Sequence, residues 1–163
     1  MLSAPFEALQ VGAREVSRGR TVTEADVVGF AALTGDRHPL HVDAAWAGAG
    51  PFGERVAHGL LVLSYAAGLV AFDPARVLAL RAVRDAVFKR PVRLGDTIAV
   101  ETRIAALDPV TGTVTCEWRI RNQAGRLVAR ATVEVLWRRD APAAEGLPID
   151  PSGLVHALES VPL

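Results

Sequence analysis

From Ala57 to Phe72 the chain reads Ala-His-Gly-Leu-Leu-Val-Leu-Ser-Tyr-Ala-Ala-Gly-Leu-Val-Ala-Phe, and after His58 only Ser64 and Tyr65 carry a polar side-chain group. A helix made from this run has no polar face to turn toward water, so the rest of the fold must surround it. Asp73-Pro74 ends it, because proline disfavours helical geometry in the residue before it. The run is shorter than the roughly 20 residues a membrane-spanning helix needs, so its expected surroundings are protein.

The material to surround it is strand. Val114, Cys116, Trp118 and Ile120 alternate with Thr115, Glu117, Arg119 and Arg121. Leu127, Ala129, Ala131, Val133, Val135 and Trp137 form one row of a last long strand. Ile98, Val100, Thr102 and Ile104 alternate in the same way, and Val77 to Phe88 is β-rich though irregular. Asp108 to Gly112 and Asn122 to Gly125 supply the turns.

Ahead of the apolar run, Glu15 to Arg20 alternates weakly as a first strand. Thr23-Glu24-Ala25-Asp26 is a capping-box pattern opening a helix with Val27, Phe30, Ala31 and Leu33 on one face, stopped by Gly35. Asp43 is placed to cap a short turn through Ala47, after which Gly48, Gly50, Pro51 and Gly53 break regularity. Helices first and three consecutive antiparallel strands afterwards predict an α+β architecture.

A chain of 163 residues holds one ordinary domain, placed at residues 1–138. Residues 139–163 shift to Ala, Pro and Gly and read as a tail with one short helix near Leu154 to Leu158; His156 falls there without a partner motif. Hydrophobic residues make up 50% and charged residues 22%, as in a folded chain that buries much surface or hides more in an oligomer. Lys plus Arg and Asp plus Glu both number 18, which gives no general pull toward nucleic acid or an anionic membrane. Met1 to Glu7 lacks the positive start and apolar stretch of a secretory signal, and the single Cys116 cannot form an internal disulfide. The expected location is cytoplasmic.

The chemistry is concentrated between Thr34 and Leu63. It comprises Gly35-Asp36-Arg37-His38-Pro39-Leu40-His41-Val42-Asp43, then Pro51-Phe52-Gly53, then Ala57-His58-Gly59-Leu60. Pro39 lacks an N–H and pushes His38 out of helical geometry, so Asp36 to His41 is expected as a turn or short extended piece. An Asp and a His converging on one cleft can take up one proton and deliver another at neutral pH, as adding water across a polarised double bond requires. The Gly59 amide, opening the apolar helix, is an oxyanion donor in waiting.

The pattern Asp-x-x-Pro-Leu-His-x-Asp, followed by Phe-Gly and then Ala-His-Gly-Leu, resembles the MaoC-like, or (R)-specific enoyl-CoA hydratase, family of the hotdog fold. The likeness extends through Lys89-Arg90-Pro91-Val92 and Leu94-Gly95-Asp96-Thr97, from about Val11 to Arg138. The resemblance implies an antiparallel sheet wrapped around the apolar helix. It also implies a homodimer with joined sheets, and reversible hydration of trans-2-enoyl thioesters to (3R)-hydroxyacyl thioesters of coenzyme A or acyl carrier protein. Asp36 and His41 are then the catalytic dyad and the Gly59 N–H the oxyanion donor. The family's Asn two residues after the Asp is replaced here by His38.

Each residue also has a plainer reading. Asp36 after a glycine can be a turn residue, Asp43 a helix cap, and His41 a hydrogen-bonded structural imidazole. His38 can line the cleft or sit in a surface turn; His58 can bind substrate or fix the start of the helix; Ser64 can reach the dyad or bond back to a carbonyl. Lys89, Arg90 and Arg93 can meet phosphates of the thioester carrier or act as solvated edge charges. Cys116 reads as core. No Cys/His metal spacing, phosphate-binding glycine loop or dinucleotide fingerprint is present, and the proposed chemistry needs no metal or cofactor. Two rival functions share the fold: a thioesterase, disfavoured because Val56 to Phe72 holds no acid, and a catalytically silent acyl-binding subunit of a heteromer.

Overall fold

The computed structural model describes residues 2–140; the expected tail helix and His156 lie outside them. A 3-10 turn at Phe6–Ala8 leads to β1 (Arg14–Val16) and β2 (Arg20–Thr21), followed by α1 (Glu24–Thr34), α2 (Pro39–Val42), α3 (Ala44–Gly48) and α4 (Gly59–Leu69). Four long strands complete the described chain: β3 (Val77–Phe88), β4 (Thr97–Asp108), β5 (Thr113–Asn122) and β6 (Leu127–Trp137).

All pairings are antiparallel, in the order β1-β4-β5-β6-β3, with β2 also on β4. The alternation read from the sequence is the burial pattern of the sheet. Val114, Cys116, Trp118 and Ile120 of β5 and Ala129, Ala131, Val133, Val135 and Trp137 of β6 are buried, with Ile98, Val100 and Ile104 of β4 beside them. They meet Leu61, Val62 and Ala66 of α4 in one core. Each large apolar side chain so buried contributes about 1.5–3 kcal/mol.

Four local expectations are refined. The single first strand is two pieces, because Ser17 turns its hydroxyl into the ladder and accepts the Val100 N–H at 2.9 Å. The irregularity of Val77 to Phe88 is three register shifts against β6, with Asp85 at φ 50 near the last of them. The Asp36–His41 segment is not extended throughout: α2 starts at Pro39, because proline at the first helical position sacrifices an N–H that would have no intrahelical partner.

The fourth refinement concerns α4. The helix is not covered all round by its own chain: Leu60 is 64% exposed, and Ser64, Ala67 and Gly68 continue the same open stripe.

Candidate active site

Local capping bonds shape the segment that carries the acid and the imidazole. Thr23 and Asp26 close the capping box of α1, the Asp26 N–H donating to Thr23 Oγ1 and the Thr23 N–H to Asp26 Oδ2. Gly35 ends α1 at φ 79, a left-handed conformation that glycine adopts without Cβ strain. Asp36 follows, its N–H bonded to Thr34 Oγ1 and its Oδ1 accepting the His38 N–H at 3.3 Å. His38 caps α2, its Nδ1 accepting the Leu40 N–H at 3.2 Å. One turn later comes His41, and Asp43 caps α3 by accepting the Trp46 N–H at 2.9 Å.

Longer-range bonds tie this segment to the helix it faces. Val56 N–H donates to Leu40 O at 3.3 Å, and Ala57 N–H to Val92 O at 2.8 Å. His41 Nδ1 lies 2.7 Å from Val56 O. A carbonyl only accepts, so Nδ1 carries the hydrogen and Nε2 presents its lone pair. By the same argument His58 Nε2, 3.0 Å from Asp36 O, is the protonated nitrogen of its ring.

Burial holds the His41 imidazole below its ordinary value of 6.5. The hydrogen bond to Val56 and the Asp36 charge oppose this, while the His58 and His38 rings add to it. His41 is therefore set to be neutral near pH 7. Asp36, His41 and His58 each bring one ligand-type atom to within 4.8 Å of the others. The His41 and His58 rings are stacked, with centroids 3.8 Å apart and planes 26° from parallel.

The three residues line a cleft of about 390 Å³, with Gly59 at its floor where α4 begins. First-turn N–H groups of a helix have no intrahelical partner and carry the positive end of its dipole. The remaining wall is mostly apolar, including Phe52, Leu60 and Phe88, and Lys89 and Arg90 stand at the same cleft.

Of the residues singled out from sequence, Asp36, His41, His58, Gly59 and Lys89 line this cleft together. His38 is exposed and turns its ring edge-on to Trp46, 5.4 Å between centroids. Ser64 bonds back to Leu60 O at 2.8 Å and lines a separate cavity of about 310 Å³ with Arg20 and Tyr65. Arg93 pairs with Glu54 at 2.8 Å and is not among the cleft residues. Cys116 is core, its thiol pushed up to about 12 by burial. Sequence reasoning missed Phe88 and the Val56 carbonyl. The local signal for Phe88 was an aromatic at the end of a β-rich run, just before Lys89-Arg90.

Residues 8–122 match the family model described as MaoC like domain. The chain is 39% identical over 111 residues to 3-hydroxybutyryl-CoA dehydratase of Methylorubrum extorquens, covering 64% of this chain and 66% of that protein. It is 30% identical over 135 residues to (R)-specific enoyl-CoA hydratase of Rhodospirillum rubrum, covering 80% of this chain and 90% of the relative. Among solved structures, the unliganded R-hydratase of Pseudomonas aeruginosa superposes with a TM-score of 0.71 at 34% identity, over 90% of this chain and 95% of that one.

Proposed function

The chain belongs to the MaoC-like domain family, and from that premise we propose that it catalyses the reversible hydration of trans-2-enoyl thioesters, or dehydration of (3R)-hydroxyacyl thioesters. The observation that carries this reading is the meeting of Asp36, His41 and the start of α4 in one largely apolar cleft.

In the forward direction the thioester carbonyl accepts from the Gly59 N–H, where the α4 dipole stabilises enolate-like charge. One water sits between the Asp36 carboxylate and His41 Nε2, the ring atom left over once Nδ1 is tied to Val56. One member of the pair takes a proton as the water oxygen bonds to C3; a proton is delivered to C2 as the double bond is consumed. Dehydration retraces these steps. An acyl chain seated against the apolar wall displaces water from it and strengthens each electrostatic contact beside it. Lys89 and Arg90 offer cations to the phosphates of coenzyme A or of a carrier-protein arm.

The proposal includes a homodimer in the cytoplasm. Among the described residues the twelve-residue strand β3 ends the sheet with one edge unpaired, and Leu80, at 55% exposed, lies along it. A long open edge is a pairing template, and an equivalent β3 laid antiparallel against it joins the two sheets. The open stripe of α4 gives the second copy an apolar surface to cover.

The test is loss of conjugated enoyl-thioester absorbance with short and medium trans-2-enoyl-CoA substrates, beginning with the four-carbon acyl group in the name of the Methylorubrum relative. Asp36→Asn and His41→Ala are run alongside. Turnover that falls about 10²–10⁴-fold in both, with the fold intact, is the expected result. A folded Asp36→Asn enzyme at full rate removes the dyad. Tight acyl-CoA binding without turnover across the panel favours the silent-subunit alternative.

A further inference from the structure

Building on the reading of Asp36 and His41 as the dyad, we infer that His58 is a positioning residue for both. Its Nε2–H holds the Asp36 main chain, and its ring forms the flat wall against which His41 is seated.

The bond to Asp36 O is 3.0 Å and joins residues 22 apart in sequence. Among the described residues, the other hydrogen bonds of Asp36 run to Thr34 and His38, two residues away on either side, and cannot set its distance from α4. The His58 hydrogen bond is thus the one that ties Asp36 itself to the start of α4, beside the Val56 bonds that hold Leu40 and His41. The His41 ring stacks on His58 with centroids 3.8 Å apart, while Phe30 packs 5.0 Å from His58 at a tilt of 54°.

His58 is 2% exposed, and its buried Nδ1 has no hydrogen-bond partner among the described residues. Packing against Phe30 and His41 alone would be met better by an apolar ring with no unmatched nitrogen. What such a ring cannot do is donate to Asp36 O. His58 follows Ala57, whose N–H is bonded to Val92 O, and precedes Gly59, so the dyad and the oxyanion donor share one anchored stretch of backbone.

Two substitutions separate the two contacts. His58→Phe keeps a ring beneath His41 and loses the donor; His58→Gln keeps an N–H donor and loses the ring. Both are measured for kcat, KM, the pH dependence of kcat/KM and melting temperature, with Asp36→Asn as a reference. His58→Phe is expected to lower kcat at least tenfold with KM changed less than threefold, and His58→Gln to recover part of that loss. His41 is faced by His58, Asp36 and His38, so in both variants the pH profile of kcat/KM is expected to depart from the parent's as the surroundings of His41 change.

A folded His58→Phe enzyme with kcat and pH profile within twofold of the parent overturns the inference. If that variant does not fold, a His58→Gln profile superimposed on the parent's overturns it instead. Full activity in Asp36→Asn removes the dyad itself. Inactivity there with parental behaviour in the His58 variants removes only the role given to His58.

Discussion

The ring of Phe88 lies over Gly59 so closely that a Cβ placed on the glycine would come 2.8 Å from Phe88 Cζ. The end of β3, the last strand in the sheet order, therefore closes over the first residue of the central helix. Gly59 has no unusual φ; what requires glycine there is this close approach.

Gly59→Ala is accordingly expected to separate stability from activity. Gly59 is the first residue of α4, where the interior preference of about 1 kcal/mol for alanine over glycine acts only in part, and the half-exposed Phe88 ring can move aside, so unfolding free energy should change by less than about 1 kcal/mol. The displaced ring should block the carbonyl site and lower kcat/KM at least tenfold. Denaturant titration and initial rates on the same preparation check both; a variant with parental kcat/KM refutes a carbonyl site within reach of the displaced Phe88 ring.

Leu80→Lys combined with Val83→Lys should leave a folded monomer. Both residues are exposed on β3, and lysine on an edge strand opposes pairing with another chain. Light scattering after size exclusion should give a two-chain mass for the parent and a one-chain mass for the double variant. A monomeric parent would sink the dimer.

Stability should fall in acid over two windows. The folded His41 value lies below 6.5, so the unfolded chain binds more protons just under that pH; its contribution is complete above 6.5 and lost as pH falls through the depressed folded value. Burial pushes Asp26 up, but hydrogen bonds from Tyr65 and Thr23 and the Arg20 charge outweigh it and hold the carboxyl at about 2, against 3.8 ordinarily. Its contribution is complete above 3.8 and lost as pH falls through about 2. Melting curves should show His41→Gln flattening the upper window and Asp26→Asn the lower; unchanged slopes contradict the assignment.

Asp96→Ala should destabilise without touching the cleft. The buried carboxylate accepts the Arg93 N–H at 2.9 Å and the Gln123 side-chain amide at 2.7 Å. Stranding two donors costs about 1–3 kcal/mol each at most, less where water reaches them. Urea titration should show a lowered midpoint that Asp96→Asn partly restores; an unchanged midpoint in Asp96→Ala would show the pair to be expendable.

Much of this was legible locally. Alternation from Val114 to Arg121 set the buried face of β5, Thr23 to Asp26 announced the start of α1, and Gly35 its end. Pro39 was harder: the same ring that breaks a helix interior also begins one, and only the following Leu40 to Val42 geometry distinguishes the cases. The uniform apolarity of α4 announced burial but not by what, because a helix covered by its own sheet and one covered partly by another surface read alike.

Residue order alone was enough to require a buried apolar helix, to supply the strands that pack on it, and to put Asp36 and His41 five residues apart on either side of Pro39. Three contacts depended on how the chain closes on itself: His58 Nε2 with Asp36 O, the His41–His58 stack and Phe88 over Gly59. Those partners are separated by many residues along the chain, and no local backbone preference brings them together. Their contact follows from sheet register and from the seating of α4 in the core, which only the complete packing determines.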